Sequence, residues 1–201
     1  SSNSCESDSE PEPTPKPAYS KNTVGYLTVP GVDVTDEPIL QHPTDDDYYL
    51  THNEFDRESI WGAYFVPSEW NVSNVDDMYR VTVIFGHSNG NSMHKKFSVL
   101  KYFRDVNFAK EHRYIYLTLG EQQTRWKIFA VADYPIDPSY TIANPDDSYF
   151  LTEIASMKAY SYNQYATEVG LNDKVLILST CSGSDNYDTR FIVCAKLDEV
   201  F

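Results

Sequence analysis

From Val24 onward, apolar residues fall into short runs divided by turn residues. VGYLTVPG (24–31) is β-branched and aromatic and stops at Pro30-Gly31, which predicts a strand and a turn. EPILQHP (37–43) and DYYLTHN (47–53) predict two more strands, parted by the acidic turn Asp45-Asp46-Asp47. IWGAYFVP (60–67) reads as a further strand, SEWNVSNVDDMY (68–79) as turns, and RVTVIFGHS (80–88) as a strong strand rich in Val and Ile. Over 93–112 the period lengthens. Phe97, Leu100 and Tyr102–Phe103 lie near one face, and Val106 and Phe108 follow Asp105, which predicts two short helices parted or capped at Asp105.

RYIYLTLG (113–120) and TRWKIFAVADYP (124–135) then predict strands joined by a tight turn at Gly120-Glu121. Residues 148–166 carry Phe150–Leu151, Ile154, Met157 and Tyr160 at helical spacing, with candidate caps at Asp146–Ser148. Ile154 and Met157 are expected against the body of the protein. KVLILSTC (174–181) and RFIVCAKL (190–197) close the set, and the unbroken apolar run Val175–Leu178 implies burial on both faces. Short strands joined mainly by turns, with a few helices between, favour a mainly β fold in which about eight strands form a closed or nearly closed mixed barrel.

Residues 1–20 differ in kind. Pro, Ser and Glu dominate, no apolar residue precedes Ala18, and Pro11, Pro13, Pro15 and Pro17 alternate with other residues. Such a stretch predicts a semi-extended linker ahead of a single domain over 21–201. The formal net charge of -14 argues against non-specific nucleic-acid binding, which needs basic patches. The sequence has no apolar run of about 18 residues that could span a membrane. It opens at Ser1 rather than Met, which leads us to expect a membrane anchor upstream of these residues.

The three cysteines, Cys5, Cys181 and Cys194, cannot all pair with one another. Cys181 leaves a core strand and enters the turn-rich loop SGSDNYDT, which holds a thiol rigidly where it can meet solvent; a buried structural cysteine is the competing reading. Cys194 lies within RFIVCAKL and reads as packing. His87 ends VTVIFGH with Gly86 beside it, a position for an acid/base imidazole. His42, His52, His94 and His112 end no comparable strand, although His94 is near enough to be a rival. Arg190 opens the last strand, nine residues after Cys181. Neighbouring strands would bring the two together, and the guanidinium could stabilise an oxyanion or simply pair with Asp185 or Asp188.

Together these features resemble the sortase family of Gram-positive surface transpeptidases. The family's T-L-x-T-C strand end, followed by Arg at the start of the next strand, is matched by Leu176-Ile177-Leu178-Ser179-Thr180-Cys181 and Arg190. VIFGHSNGNSMHKKFSVLKYFRDVNFAKEH resembles the Y-G-H-x-M-x-x-G-x-M-F segment of class B and its helices, and 24–53 resembles that class's opening strands. The insert at 138–170 is also similar to class B. The likeness covers roughly 24–197. It implies an eight-stranded barrel with Cys181 as nucleophile, His87 as acid/base and Arg190 as oxyanion stabiliser; no cofactor is expected, and no acidic cluster in the sequence is clear enough to assign a metal site. By the same resemblance, a surface-protein sorting signal is cut after Thr, and the thioacyl enzyme is resolved by a cell-wall or pilin amine. The enzyme would act outside the cytoplasm, anchored at the cell surface. Ser179 and Thr180 are expected to line the substrate groove, with the 138–170 insert as one wall.

The sequence also departs from the family pattern. Phe85 stands where Tyr is usual, Met arrives only at Met93, and Gly183 occupies a position that is acidic in some members, where Asp185 could substitute. The same residues would also serve a cysteine protease or amidase that uses water as final acceptor.

Overall fold

A computed structural model describes residues 17–88, 95–135, 138–180 and 188–201. The strands are β1 (Thr23–Val29), β2 (Val34–Leu40), β3 (Tyr64–Phe65), β4 (Val81–Gly86), β5 (Tyr114–Leu119), β6 (Gln122–Pro135), β7 (Val175–Thr180) and β8 (Thr189–Val200). They close into a barrel in the order β1-β2-β3-β4-β7-β8-β6-β5. Two neighbouring pairs, β2–β3 and β4–β7, are parallel and the rest antiparallel, so the barrel is mixed as expected.

The apolar run in β7 is explained by its two covered faces. Leu176 and Leu178 point inward with Trp126, Ile84, Val131 and Val193. Val175 and Ile177 point outward into a second cluster with Val83, Phe129 and Cys194. That cluster lies beneath helix α2 (Asp147–Tyr160), which buries Phe150, Ile154 and Met157. The Asp146 side chain caps α2 by accepting from the Tyr149 amide at 2.8 Å. The helix stops at Tyr160 rather than running to 166, because Ser161 Oγ takes the Val131 amide at 3.1 Å and donates to the Asn163 carbonyl at 2.6 Å. Cys194 is fully buried, and burial pushes its thiol well above the ordinary range, as the packing reading requires.

The break at Asp105 is real. Asp105 accepts from the Phe108 amide at 2.9 Å and caps the short helix α1 (Val106–Glu111). The element before it, Lys96–Arg104, is a 3₁₀ helix. Its buried Phe97, Leu100 and Phe103 recur every third residue, and a 3₁₀ helix aligns residues at that spacing on one side.

Two expected strands are not there as drawn. Residues 47–53 form a 3₁₀ turn at Tyr48–Leu50 instead. The Tyr48 ring stacks on His52, centroids 3.9 Å apart, whereas four residues of extended chain would separate them by ~13 Å. Buried Tyr49 donates its hydroxyl to Asp56 at 2.7 Å, tying the coil down. Within 60–67 only Tyr64–Phe65 pairs as strand, because Gly62 adopts a left-handed φ of 59° and the Ala63 amide bonds the Tyr49 carbonyl at 3.0 Å. The remaining strands begin or end within a few residues of expectation, and β8 runs three residues longer than 190–197 at its C-terminal end. The last residues of the Pro-rich segment lie on the barrel, with Tyr19 stacked on Phe55 and Ser20 Oγ donating to Asp56 at 2.6 Å. Among the described residues no helix is long and apolar enough to cross a membrane.

Gly86 tests this packing. A Cβ there would stand 2.6 Å from Phe97 Cδ2 and 2.8 Å from Tyr64 Cδ1, both in the inner core. Gly86→Ala should cost about 1–3 kcal/mol in urea unfolding. An unchanged midpoint would show that the core yields there.

Candidate active site

Three strand ends meet at one rim of the barrel. β4 and β7 run parallel in unbroken register from Val81↔Val175 to Gly86↔Thr180. β7 pairs antiparallel with β8 through Ser179↔Ile192, and β8 pairs with β6 through Tyr134↔Arg190. His87 follows the last paired residue of β4, and Arg190 is the second residue of β8. Cys181, which directly follows Thr180, lies outside the described residues, as do His94, Gly183 and Asp185.

Side-chain alternation assigns the described members to one face. Residues directly opposite in a ladder project to the same side, and successive residues alternate. Tyr134 belongs to the outer cluster under α2, so Arg190 opposite it projects outward. Val81 and Val83 also face that cluster, and Phe85 packs at its margin, which puts His87 on the same side. Ser179 likewise faces outward, where the buried Tyr140 hydroxyl meets its Oγ at 3.1 Å. Thr180 faces the interior, and its Oγ1 accepts from the Phe191 amide at 3.1 Å.

His87 is partly buried and held by backbone. Its Nε2 lies 2.7 Å from the Leu50 carbonyl. A carbonyl only accepts, so Nε2 carries the proton, and in the neutral ring Nδ1 is the basic nitrogen. The ring also packs against Gly62, where a Cβ would stand 3.0 Å from His87 Cδ2. The Phe97 amide donates to the His87 carbonyl at 2.9 Å, fixing the backbone next to the ring. Arg190 is partly buried, and its Nη1 donates to the Thr189 carbonyl at 3.2 Å.

The structure thus brings His87 and Arg190 to neighbouring strand ends on one face. Ser179 and Thr180 are 0% and 1% exposed, and their oxygens are engaged within the fold. The other described histidines have local roles. His42 Nδ1 accepts from the Thr44 and Asp45 amides, His52 stacks on Tyr48, and His112 lies against Gly31. Sequence reading missed the Leu50 carbonyl and Gly62 as supports of His87. Gly62 left a trace as an isolated glycine in an apolar run, which the strand reading absorbed. A backbone carbonyl leaves none. Among the described residues no group of His, Cys, Asp and Glu is arranged to hold a metal.

No protein-family model and no curated protein matches the chain. Solved structures do. The sortase B of Listeria monocytogenes is 26% identical, with a TM-score of 0.75 over 88% of this chain and 95% of that one. A Staphylococcus aureus sortase B–substrate complex is 21% identical, with a TM-score of 0.77 over 89% and 81%. A sortase B complexed with triglycine is 22% identical, with a TM-score of 0.78 over the same two shares. The closed eight-stranded barrel, with its strand-end histidine and arginine, has the fold of the class B sortases.

Proposed function

We propose that the chain is a sortase-type cysteine transpeptidase, with Cys181 as nucleophile, His87 as acid/base and Arg190 as oxyanion stabiliser. The observation that carries this reading is the common face of His87 and Arg190 on the strands flanking β7, whose next residue is Cys181. The parallel ladder ends at Gly86↔Thr180, and His87 and Cys181 are the residues that follow. Continued by two residues, the ladder that pairs Ser179 with Ile192 would set position 181 opposite 190. The likeness to sortase B structures, among them complexes with a substrate and with triglycine, supports peptide and amine as the two reactants.

The chemistry runs through a thioester. The Cys181 thiolate attacks the carbonyl of the sorting-signal Thr, and the oxyanion that forms is held by the Arg190 guanidinium. The C–N bond then breaks, and the imidazolium of His87 protonates the leaving amine. His87, now neutral, takes a proton from the incoming cell-wall or pilin amine as that nitrogen attacks the thioester. An amide C–N bond forms and the C–S bond breaks. The Leu50 carbonyl keeps the ring oriented so that Nδ1 exchanges the proton in both halves. The 138–170 insert forms one wall of the peptide groove. Tyr140 supports that wall by reaching under it to Ser179, which forms the buried layer beneath the groove, whereas Thr180 faces the barrel interior. The same reading includes action outside the cytoplasm from a membrane anchor.

The protein should be incubated with peptides carrying Thr at the cleavage position and its intact mass measured. An acyl adduct should form on Cys181, be absent in Cys181→Ala at unchanged circular dichroism, and disappear on addition of an amine. An adduct that persists in Cys181→Ala would assign the wrong nucleophile, and release only to water at any amine concentration would make the protein a protease.

Arg190→Lys keeps the charge but loses the fixed fork of donors, so kcat for peptide cleavage should fall about 10²-fold or more. Near-normal turnover would remove Arg190 from the chemistry.

A further inference from the structure

A cleft of about 270 Å³ lies behind Gly62, the glycine against which the His87 ring packs. Its lining includes Asp33, Glu37, Glu54, Gly62, Tyr64 and the two lysines Lys95 and Lys96. Gly62 is shared: it borders the cleft and contacts the His87 ring. One residue, Gly62, therefore lies between the cleft and the group that must exchange a proton with an incoming amine.

One ammonium already sits in it. Lys96 Nζ lies 3.4 Å from Glu54 Oε2 and 5.0 Å from the centroid of the Tyr64 ring. The Lys96 and Glu54 side chains are only 16% and 20% exposed, so the pair is largely withdrawn from water. A carboxylate on one side and an aromatic face on the other is the environment that selects a primary ammonium. Lys96 reaches it from a left-handed backbone, with φ of 48°, a conformation that residues other than glycine adopt infrequently. Among the described residues, a second carboxyl group has no direct contact with a cation. The half-buried side chain of Glu37 makes no hydrogen bond or ion pair among the described residues. Burial pushes its carboxyl above the ordinary value; Lys96 opposes that shift, and Glu54 and Asp33 add to it. Three carboxyl groups, Asp33, Glu37 and Glu54, thus share the cleft with two lysines, Lys95 and Lys96, so one carboxyl group is left over for a further cation.

We infer that this cleft is the subsite for the acceptor's primary ammonium, with Glu37 as its counter-ion and the Lys96 ammonium as a built-in competitor. The inference rests on the acyl-transfer reading above and assigns a place to its second substrate. The bound R–NH₃⁺ gives one proton to neutral His87, and the freed amine attacks the thioester carbonyl. As the C–S bond breaks, a second proton passes to the departing sulfur and the third stays on the new amide nitrogen. Thiol, imidazolium and amide result, with no other reactant.

The test is the partition of one common intermediate. The full chain is given a sorting peptide together with either triglycine or Nα-acetyl-lysine amide, and transferred and hydrolysed products are counted at a fixed amine concentration. Both products come from the same thioester, so their ratio is blind to any change in the first step. Glu37→Gln should lower the transfer-to-hydrolysis ratio at least fivefold. Lys96→Met, which removes the internal competitor, should raise it at least twofold. Opposite shifts with both amines support an ammonium site, and opposite shifts with only one also name the source of the acceptor. Equal ratios, or ratios that fall together as general damage would make them, overturn the inference. If Glu37→Gln yields no folded protein, Lys96→Met decides alone, since a ratio that does not rise overturns the proposal. A wild type that forms no acyl adduct sinks the acyl-transfer reading itself, and the subsite with it.

Discussion

The parallel pairing of β4 with β7 is the constraint on which the site depends. Six consecutive partners, from Val81↔Val175 to Gly86↔Thr180, bring two strands distant in sequence to the same height at the barrel rim. A slip of one residue would push the inner-facing residues of β7 into the outer cluster and the outer-facing ones into the core, so side-chain packing on the two faces holds the register. The pairing also needs Gly86, since the inner core has no room for a Cβ there. Whatever follows Gly86 and Thr180 thus starts from adjacent points, and the residues that follow are His87 and Cys181.

The surrounding layers make that rim rigid and sided. The outer cluster under α2 covers β7 and β8 up to Ser179 and Ile192, where Tyr140 closes it with a hydroxyl contact. On the other flank the coil at Tyr48–Leu50 delivers a carbonyl to the imidazole and Gly62 delivers a flat surface. The histidine is therefore oriented by backbone, which has fewer soft torsions than a side-chain partner. Arg190 owes its place to the β6–β8 ladder, the longest in the barrel, in which Tyr134 fixes its face. Arg104 adds a brace nearby, pairing with Asp133 at 3.0 Å and covering the Phe191 ring at 4.6 Å.

The strand ends were legible in the sequence because β-branched runs stop at chemically distinct residues. VTVIFGH and ILSTC announce both the strand and its exit, and Asp105 announces a helix cap. The 47–53 and 60–67 segments misled because Tyr and apolar residues suit a strand and a buried coil equally. What decided between them was a long-range lock, Tyr49 to Asp56 and Ala63 to the Tyr49 carbonyl, which no local pattern encodes. The 3₁₀ helix was half legible: its three-residue spacing was present but close enough to 3.6 to be taken for α. The cleft holding Lys96 was not legible at all, since Glu37, Glu54, Tyr64 and Lys96 come from four separate segments.

The central claim is that the thiol at the end of β7 and the imidazole at the end of β4 act as one unit. The most direct measurement is the rate at which iodoacetamide alkylates Cys181 at neutral pH, compared between the wild type and His87→Ala, with Cys194 as the buried internal standard. Thiolate is the reacting species and a neighbouring imidazolium stabilises it, so the Cys181 rate should fall at least about tenfold in the variant while Cys194 stays unlabelled until the protein is unfolded. Equal Cys181 rates in the two proteins would show that the two strand ends do not share a proton, and the account would be wrong.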